Sequence, residues 1–230
     1  METTELDLLN DFQSRLDEDE LKTWQTRAKK LLERQFRADK LPKPKNLRPE
    51  NLRPGYVIEI GSGTGDFALQ FAMANPNRQL VAMEHTRTKF KKFQDQLNKI
   101  QEDQDLSNLH AFHENAISWI AHNAGPEEVE TIYLLYPNPF LKPKDWNCRW
   151  HALPFWGYLI KCLKPGGTLI VATNIREYAE ECLFFNHYWN LECTLQETVG
   201  SKLSPRTKFE KKYLERNETC YNLTFTKSRL

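Results

Sequence analysis

The chain has 230 residues, 40% of them hydrophobic and 27% charged, a balance that supports one sizeable buried core and excludes collagen-like, mucin-like and wholly disordered chains. Its 32 Lys and Arg stand against 31 Asp and Glu, so the net charge of +1 excludes a uniformly basic nucleic-acid binder and leaves room only for a local basic face. No apolar run reaches the roughly 18 residues of a membrane span. The acidic stretch from Met1 to Glu20 does not suit a secretory or mitochondrial leader. The expectation is a soluble, cytoplasmic protein with no membrane contact. Five cysteines (Cys148, Cys162, Cys182, Cys193, Cys220) form no C-x-x-C pair and read as reduced packing thiols, and His110 and His113 lack a third ligand for a metal site.

In chain order, residues 22–40 carry Trp24, Leu31, Leu32 and Phe36 among many bases, a pattern that predicts an amphipathic helix followed by a Pro-rich connector from Leu41 to Pro54. Residues 22–53 hold 11 basic and 3 acidic side chains, opposite in sign to the first twenty residues. An extension over residues 1–54, acidic and then basic, thus precedes a domain over 55–230. Within that domain Tyr56 to Ile60 predicts a strand, a glycine cluster a tight turn, and Phe67 to Ala74 a helix. Further strands are expected at Leu80 to Met83, Leu109 to Phe112, Thr131 to Tyr136 and Thr168 to Thr173. Helices are expected at Lys89 to Gln101, Ala116 to His122, Leu153 to Leu163 (stopped by Pro165-Gly166-Gly167) and Glu177 to Trp189. Leu191 to Thr198 and Tyr221 to Thr226 alternate polar and apolar, as in a hairpin-like antiparallel pair with one wet face. The sum is an α/β chain with a mainly parallel, seven-stranded sheet and helices on both faces.

Glu59-Ile60-Gly61-Ser62-Gly63-Thr64-Gly65-Asp66 closes the first strand and opens the first helix, where open α/β sheets bind ligands. Asp66 occupies the third glycine position of G-x-G-x-x-G, and a carboxylate there repels the pyrophosphate that a helix N-terminus would otherwise hold. A cationic ligand without phosphate reverses that argument. S-adenosylmethionine (SAM), with its sulfonium and ammonium, suits Glu59 and Asp66 around Gly61, Gly63 and Gly65. Glu84, ending the second strand, is placed to accept from both ribose hydroxyls, and Asn115 after the third strand to bond the adenine amino group; strand-end and helix-cap roles are the structural alternatives for these two.

Four later blocks carry a family resemblance: Leu135-Tyr136-Pro137-Asn138-Pro139-Phe140, Leu163-Lys164-Pro165-Gly166-Gly167, Ala172-Thr173-Asn174-Ile175-Arg176-Glu177-Tyr178-Ala179-Glu180 and Ser204-Pro205-Arg206-Thr207-Lys208-Phe209-Glu210. With the glycine loop, they resemble the class I SAM-dependent methyltransferases of Rossmann-like fold, and within them the bacterial tRNA (guanine-N7)-methyltransferases, over about Tyr56 to Lys227. The T-K-F-E block is the specific one. The resemblance implies SAM as methyl donor, S-adenosylhomocysteine as product, and tRNA as acceptor. Catalytic roles fall on Asn138, Glu210 and Thr207, and substrate contacts on Tyr136, Phe140, Lys142, Asn174, Arg206 and Lys208. Asn138 and Asn174 stand where the family has aspartates, and the family's basic run after P-D-P-W reads here Leu141-Lys142-Pro143-Lys144-Asp145-Trp146-Asn147-Cys148-Arg149.

Three readings of the acceptor follow. The first is tRNA, contacted through residues 22–53 and the C-terminal bases Lys202, Arg206, Lys208, Lys211, Lys212 and Arg216, with Trp146, Trp150 and Trp156 available to stack a flipped base. The second is a small heterocycle or other nitrogen nucleophile, suggested by the lost aspartates and a Pro137-Asn138-Pro139-Phe140 turn similar to the N-P-P-F-like loop of amino-methylating enzymes. The third is a SAM-binding subunit without catalysis.

Overall fold

The computed structural model describes residues 4–200 and 204–229, so Lys202 lies outside the described residues. Five apolar runs form the parallel heart of a sheet: Tyr56–Ile60 (β1), Leu80–Glu84 (β2), Leu109–His113 (β3), Val129–Leu135 (β4) and Leu163–Thr173 (β5). Every residue of β1 and β2 is buried, as expected of strands covered on both faces. Glu192–Thr198 (β6) and Cys220–Thr226 (β7) complete the order β3-β2-β1-β4-β5-β7-β6, with β7 antiparallel to both its neighbours. The order reverses between β1 and β4, which opens a crevice at the carboxyl ends of the strands.

Alternation along β1 divides the core. Val57 packs with Phe67 and Phe71 of Asp66–Ala74 (α3) and with Phe93 and Leu97 of Arg87–Gln101 (α4). Ile58 faces the other layer, with Trp119 of Ala116–Asn123 (α5), Trp156 of Phe155–Cys162 (α6) and Tyr178 of Arg176–His187 (α7). Pro165-Gly166-Gly167 lies inside β5 instead of ending a helix: Gly166 N–H donates to the Lys227 carbonyl and Lys227 N–H to the Gly167 carbonyl, both at 2.9 Å.

The helix expected over 22–40 is found as Glu18–Glu33 (α2), and an unanticipated helix, Glu5–Ser14 (α1), precedes it. The acids of the first twenty residues explain their starts. Thr4 with Asp7 and Asp17 with Glu20 form reciprocal capping boxes, so α2 begins four residues early and Phe36 falls outside it, against Phe155 and Tyr158. Leu8 is fully buried in the main core, and Phe12 and Trp24 pack on Phe184 and Phe185 of α7. Ion pairs Arg15–Glu180 and Asp11–Arg176 reinforce that seam.

An eighth helix, Lys208–Glu215 (α8), was not anticipated. It occupies part of residues 199–219 between β6 and β7, which pair antiparallel but are no tight hairpin. Thr207 Oγ accepts from the Glu210 N–H at its start, and Asn217 (φ +55°) with Glu218 forms a Schellman-type end, their N–H groups donating to the Leu214 and Tyr213 carbonyls.

Trp24→Ala should lower the unfolding free energy by about 3 kcal/mol, because it empties a largely buried aromatic site. Chemical denaturation should keep a single transition at a lower midpoint; an unchanged midpoint would mean that the α1–α2 seam adds nothing to the stability of the sheet.

Candidate active site

At the β1–α3 turn, Gly65 caps α3 with φ +85°, and a Cβ there would lie 2.1 Å from the Phe93 ring, so only glycine fits. The loop borders a cavity of about 360 Å³ whose walls include Glu59, Asp66, Tyr136, Thr207, Lys208 and Phe209. Glu59 is 2% exposed and its Oε2 has no hydrogen-bond partner among the described residues. Burial, and then the nearby Asp66 and Glu84 carboxylates, push the Glu59 carboxyl up to about 8. Asp66 accepts from the Thr64 hydroxyl and is reached from α8 by Lys208, whose Nζ lies 3.4 Å from Asp66 and donates to Thr64 Oγ at 2.9 Å. Lys208, expected on the substrate side, therefore closes the cofactor side.

Glu84 sits beneath the loop. One of its carboxylate oxygens accepts from Gly63 N–H at 2.8 Å and the other from Thr86 N–H at 2.6 Å. It braces the glycine turn with lone pairs to spare for a diol. Asn115 caps α5, its Oδ1 accepting from Ile117 and Ser118 N–H, so its only acceptor is committed to the helix. The helix-cap alternative describes Asn115 as it stands. Neighbouring Glu114 binds the Pro-rich connector instead, through the N–H groups of Lys45 and Asn46.

A second cavity of about 350 Å³ adjoins the first, sharing Lys89, Tyr136 and Phe209, and continues to Asn138, Asn174 and Tyr213. Tyr136 is held at φ +53° with its N–H on the Ala172 carbonyl, and its hydroxyl donates to Glu210 at 2.8 Å. Arg206 forks onto the same Glu210 carboxylate and also reaches Asn222. Burial pushes Glu210 up, but Arg206 and then Tyr136 outweigh it and hold the carboxyl below its ordinary value. Burial first, and the adjoining Cys220 and Glu210, push the Tyr136 phenol up, so it stays a neutral donor.

Of the expected substrate residues, Asn138 and Asn174 do line this second cavity. Asn138 Oδ1 accepts from Phe140 N–H at 3.1 Å, which makes it a turn residue whose amide N–H₂ has no partner among the described residues. Asn174 donates from Nδ2 to Glu218 at 2.7 Å. Arg206 and Thr207 act on α8, one on Glu210 and one as its cap. Phe140 and Lys142 are not among the residues lining either cavity. The tryptophans do not line it either: Trp156 is fully buried and donates to Asn186, Trp150 packs near Phe155, and Trp146 stacks on Trp24. The aromatic walls are Tyr136, Tyr213 and Phe209, of which Phe209 is 48% exposed. A hydrophobic residue amid the charges of T-K-F-E was the signal for Phe209; Lys89, Lys92 and Tyr213 had no distinguishing mark.

A family model described as "Putative methyltransferase" matches residues 54–223. The chain belongs to this methyltransferase family. It is similar to proteins named tRNA (guanine-N(7)-)-methyltransferase from Nitrosospira multiformis (30% identical over 176 residues, 74% of this chain and 73% of the relative) and Nitrosomonas eutropha (29% over 177 residues, 75% and 76%). In a relative of that name from Burkholderia lata the match is 27% over 176 residues and spans 66% of the relative. The fold is similar to that of the 16S rRNA methyltransferase KamB (TM-score 0.56, 15% identity, 77% of this chain and 89% of that one). It is also similar to a methyltransferase from Pyrococcus furiosus (TM-score 0.51, 14% identity, 77% of each). The seven-stranded order and the helices on both faces are thus those of the class I methyltransferase fold. The donor set fits S-adenosylmethionine as methyl donor: a buried Glu59 carboxylate oxygen with no hydrogen-bond partner among the described residues and a second carboxylate at Asp66 suit a ligand with two cationic centres. No helix among the described residues is long and apolar enough to cross a membrane.

SAM binding by this methyltransferase should therefore be coupled to proton release. Below about pH 8 Glu59 is protonated in the free protein, and a cation favours its ionised form, so affinity should rise with pH up to about 8 and level beyond it. Because the folded value lies above the ordinary 4.5, the same group's contribution to apo stability is lost as pH rises between those values. Glu59→Gln should flatten the affinity profile, weaken SAM binding and raise the apo melting temperature in mildly alkaline buffer. Calorimetry in two buffers of different ionisation enthalpy measures the proton release, and its absence would remove Glu59 from the site.

Proposed function

We propose that this methyltransferase transfers the methyl group of SAM to N7 of a guanine in tRNA, with residues 55–230 as the catalytic unit and residues 1–54 as a packed extension. The carrying observation is the joined cleft. A carboxylate-lined cofactor cavity opens at Tyr136 and Phe209 into an aromatic-walled acceptor cavity, with cations at its mouth. Its relatives' names agree with this acceptor.

The chemistry asks little of a base. Bound SAM supplies an electrophilic methyl group on a sulfonium. The N7 lone pair forms the new N–CH₃ bond as the S–CH₃ bond breaks with its electron pair going to sulfur; no proton moves. The protein's work is alignment and charge. Tyr136, held on Glu210 at the junction of the cavities, keeps acceptor and donor in line. The Asn138 amide N–H₂ can donate to guanine O6, a contact that leaves N7 open. Glu84 would take the ribose hydroxyls from beneath the loop.

Electrostatics favour a polyanion at the mouth. The first turns of α4 carry Arg87, Lys89, Lys91 and Lys92 and no acid, against the preference of a helix N-terminus, so these cations do not serve the helix. Among the described residues Arg87, Lys91 and Lys92 make no ion pair, and Lys208, Lys211 and Lys212 of α8 extend the rim. In the segment 22–53, Arg37 pairs with Asp39 and Arg48 with Glu128, which leaves most of its other bases for phosphate contact.

Incubation with labelled SAM and bulk tRNA, followed by nucleoside mass analysis, should yield 7-methylguanosine. Arg87→Glu with Lys91→Glu should lower kcat/KM for tRNA at least about tenfold, leave SAM affinity unchanged and reduce the salt slope of tRNA binding. Methyl incorporation only into small molecules would overturn the tRNA reading and favour a heterocyclic acceptor for the neutral Asn138–Asn174 pocket.

A further inference from the structure

The acceptor cavity holds amides at Asn138 and Asn174, yet N7 methylation turns a neutral purine into a cation, and a pocket that welcomes that product needs a negative charge nearby. Glu210 does not supply it alone, because Arg206 neutralises it through a forked ion pair. Glu59 belongs to the cofactor side. The remaining carboxylate is Glu218, which no reading of the sequence singled out.

Its position is built. The Schellman-type end of α8 turns at Asn217 and fixes the Glu218 backbone through its N–H on the Tyr213 carbonyl at 3.0 Å. The side chain then accepts from Asn174 Nδ2 at 2.7 Å, while Arg216 lies at 3.9 Å from its other oxygen, on the solvent side. A carboxylate only accepts, so this bond dictates which way the Asn174 amide points. Asn174 Oδ1 has no partner among the described residues, and the residue lines the acceptor cavity.

We propose that Asn174 and Glu218 act as one split carboxylate: Glu218 carries the negative charge, and by holding Nδ2 it presents Asn174 Oδ1 as the acceptor at the acceptor cavity. This rests on the guanine-N7 reading above. Glu218 is a positioning residue, separated from the substrate by the amide. The arrangement also accounts for asparagine at 174, since an aspartate there would place two carboxylates in hydrogen-bond contact and force one to take a proton.

The test is an exchange of partners. In Asn174→Asp combined with Glu218→Gln, the Gln amide donates to the Asp carboxylate, so bond and net charge survive with the charge moved one residue inward. Relative affinity for 7-methylguanosine over guanosine is measured at mildly acidic pH, where the methylated base is cationic, with SAM affinity as the check on folding. Native protein should prefer the cation. Glu218→Gln alone should reduce that preference about tenfold, with SAM affinity unchanged, and the double exchange should restore it. Preference unaltered by Glu218→Gln, or a double exchange no better than the single, would overturn the pair. Failure of the N7 reading shows separately, as native protein that forms no 7-methylguanosine in tRNA.

Discussion

The architecture of the cleft hangs on one buried carboxylate. Glu210 accepts from the Tyr136 hydroxyl at the end of β4 and from the Arg206 guanidinium and backbone N–H just before α8, so it ties α8, which stands between the edge strand β6 and its neighbour β7, to the centre of the sheet. Without that tie α8 has little to hold it, since Leu214 is its only buried apolar side chain. With it, α8 lays Lys208 across the cofactor loop, Phe209 against the junction of the two cavities, and Glu218 against Asn174. A charged network is costly to bury, and this one is satisfied on every oxygen, which is the condition under which such a network specifies a unique arrangement instead of loosening it.

The charge distribution explains why a net charge of +1 says little about the partner. Carboxylates are gathered beneath the glycine loop, at Glu59, Asp66 and Glu84, while exposed cations stand around the mouth on α4 and α8. On the proposed function, a cationic donor and a polyanionic acceptor thus meet opposite fields a short distance apart. The acids of the N-terminus serve a third purpose, capping α1 and α2 and pairing with α7. Opposite charges that cancel in the total are separated in space by task.

Much of the fold was legible because the parallel strands announce themselves as short, largely apolar runs between turn signals: β1 matches its predicted bounds, and β2 and β3 each extend one residue further. The glycine loop was equally plain. Elements whose identity rests on local hydrogen bonds were not. The helix α1 is carried by a Thr4–Asp7 box with only Leu8 and Phe12 buried, and α8 by a Thr207 cap, its Phe209, Tyr213 and Leu214 set amid charge on a helix too short for a repeating period to register. At the cleft, the carboxylates Glu59, Asp66 and Glu84 were visible from their places at strand and helix ends, and Glu210 from the T-K-F-E block of the family resemblance. Which partners a polar side chain engages was not, and Asn115 and Lys208 show the consequence: one is consumed by its own helix, the other reaches across to the glycine-loop cavity. Trp156 and Phe209 make the complementary point, for the larger aromatic went to the core and the smaller stayed at the cleft.

Hydrogen exchange in Tyr136→Phe tests the role of the Glu210 tie most directly. Loss of one hydrogen bond to a charged group costs about 1.5–3 kcal/mol, so the opening of α8 should become on the order of ten- to a hundredfold more frequent. The account predicts faster exchange confined to residues 208–218, with β1, β2 and β4 as protected as before and weaker affinity for SAM. Unchanged protection of α8 with undiminished SAM affinity would contradict it, and would place the helix under the control of some contact other than the Tyr136–Glu210–Arg206 network.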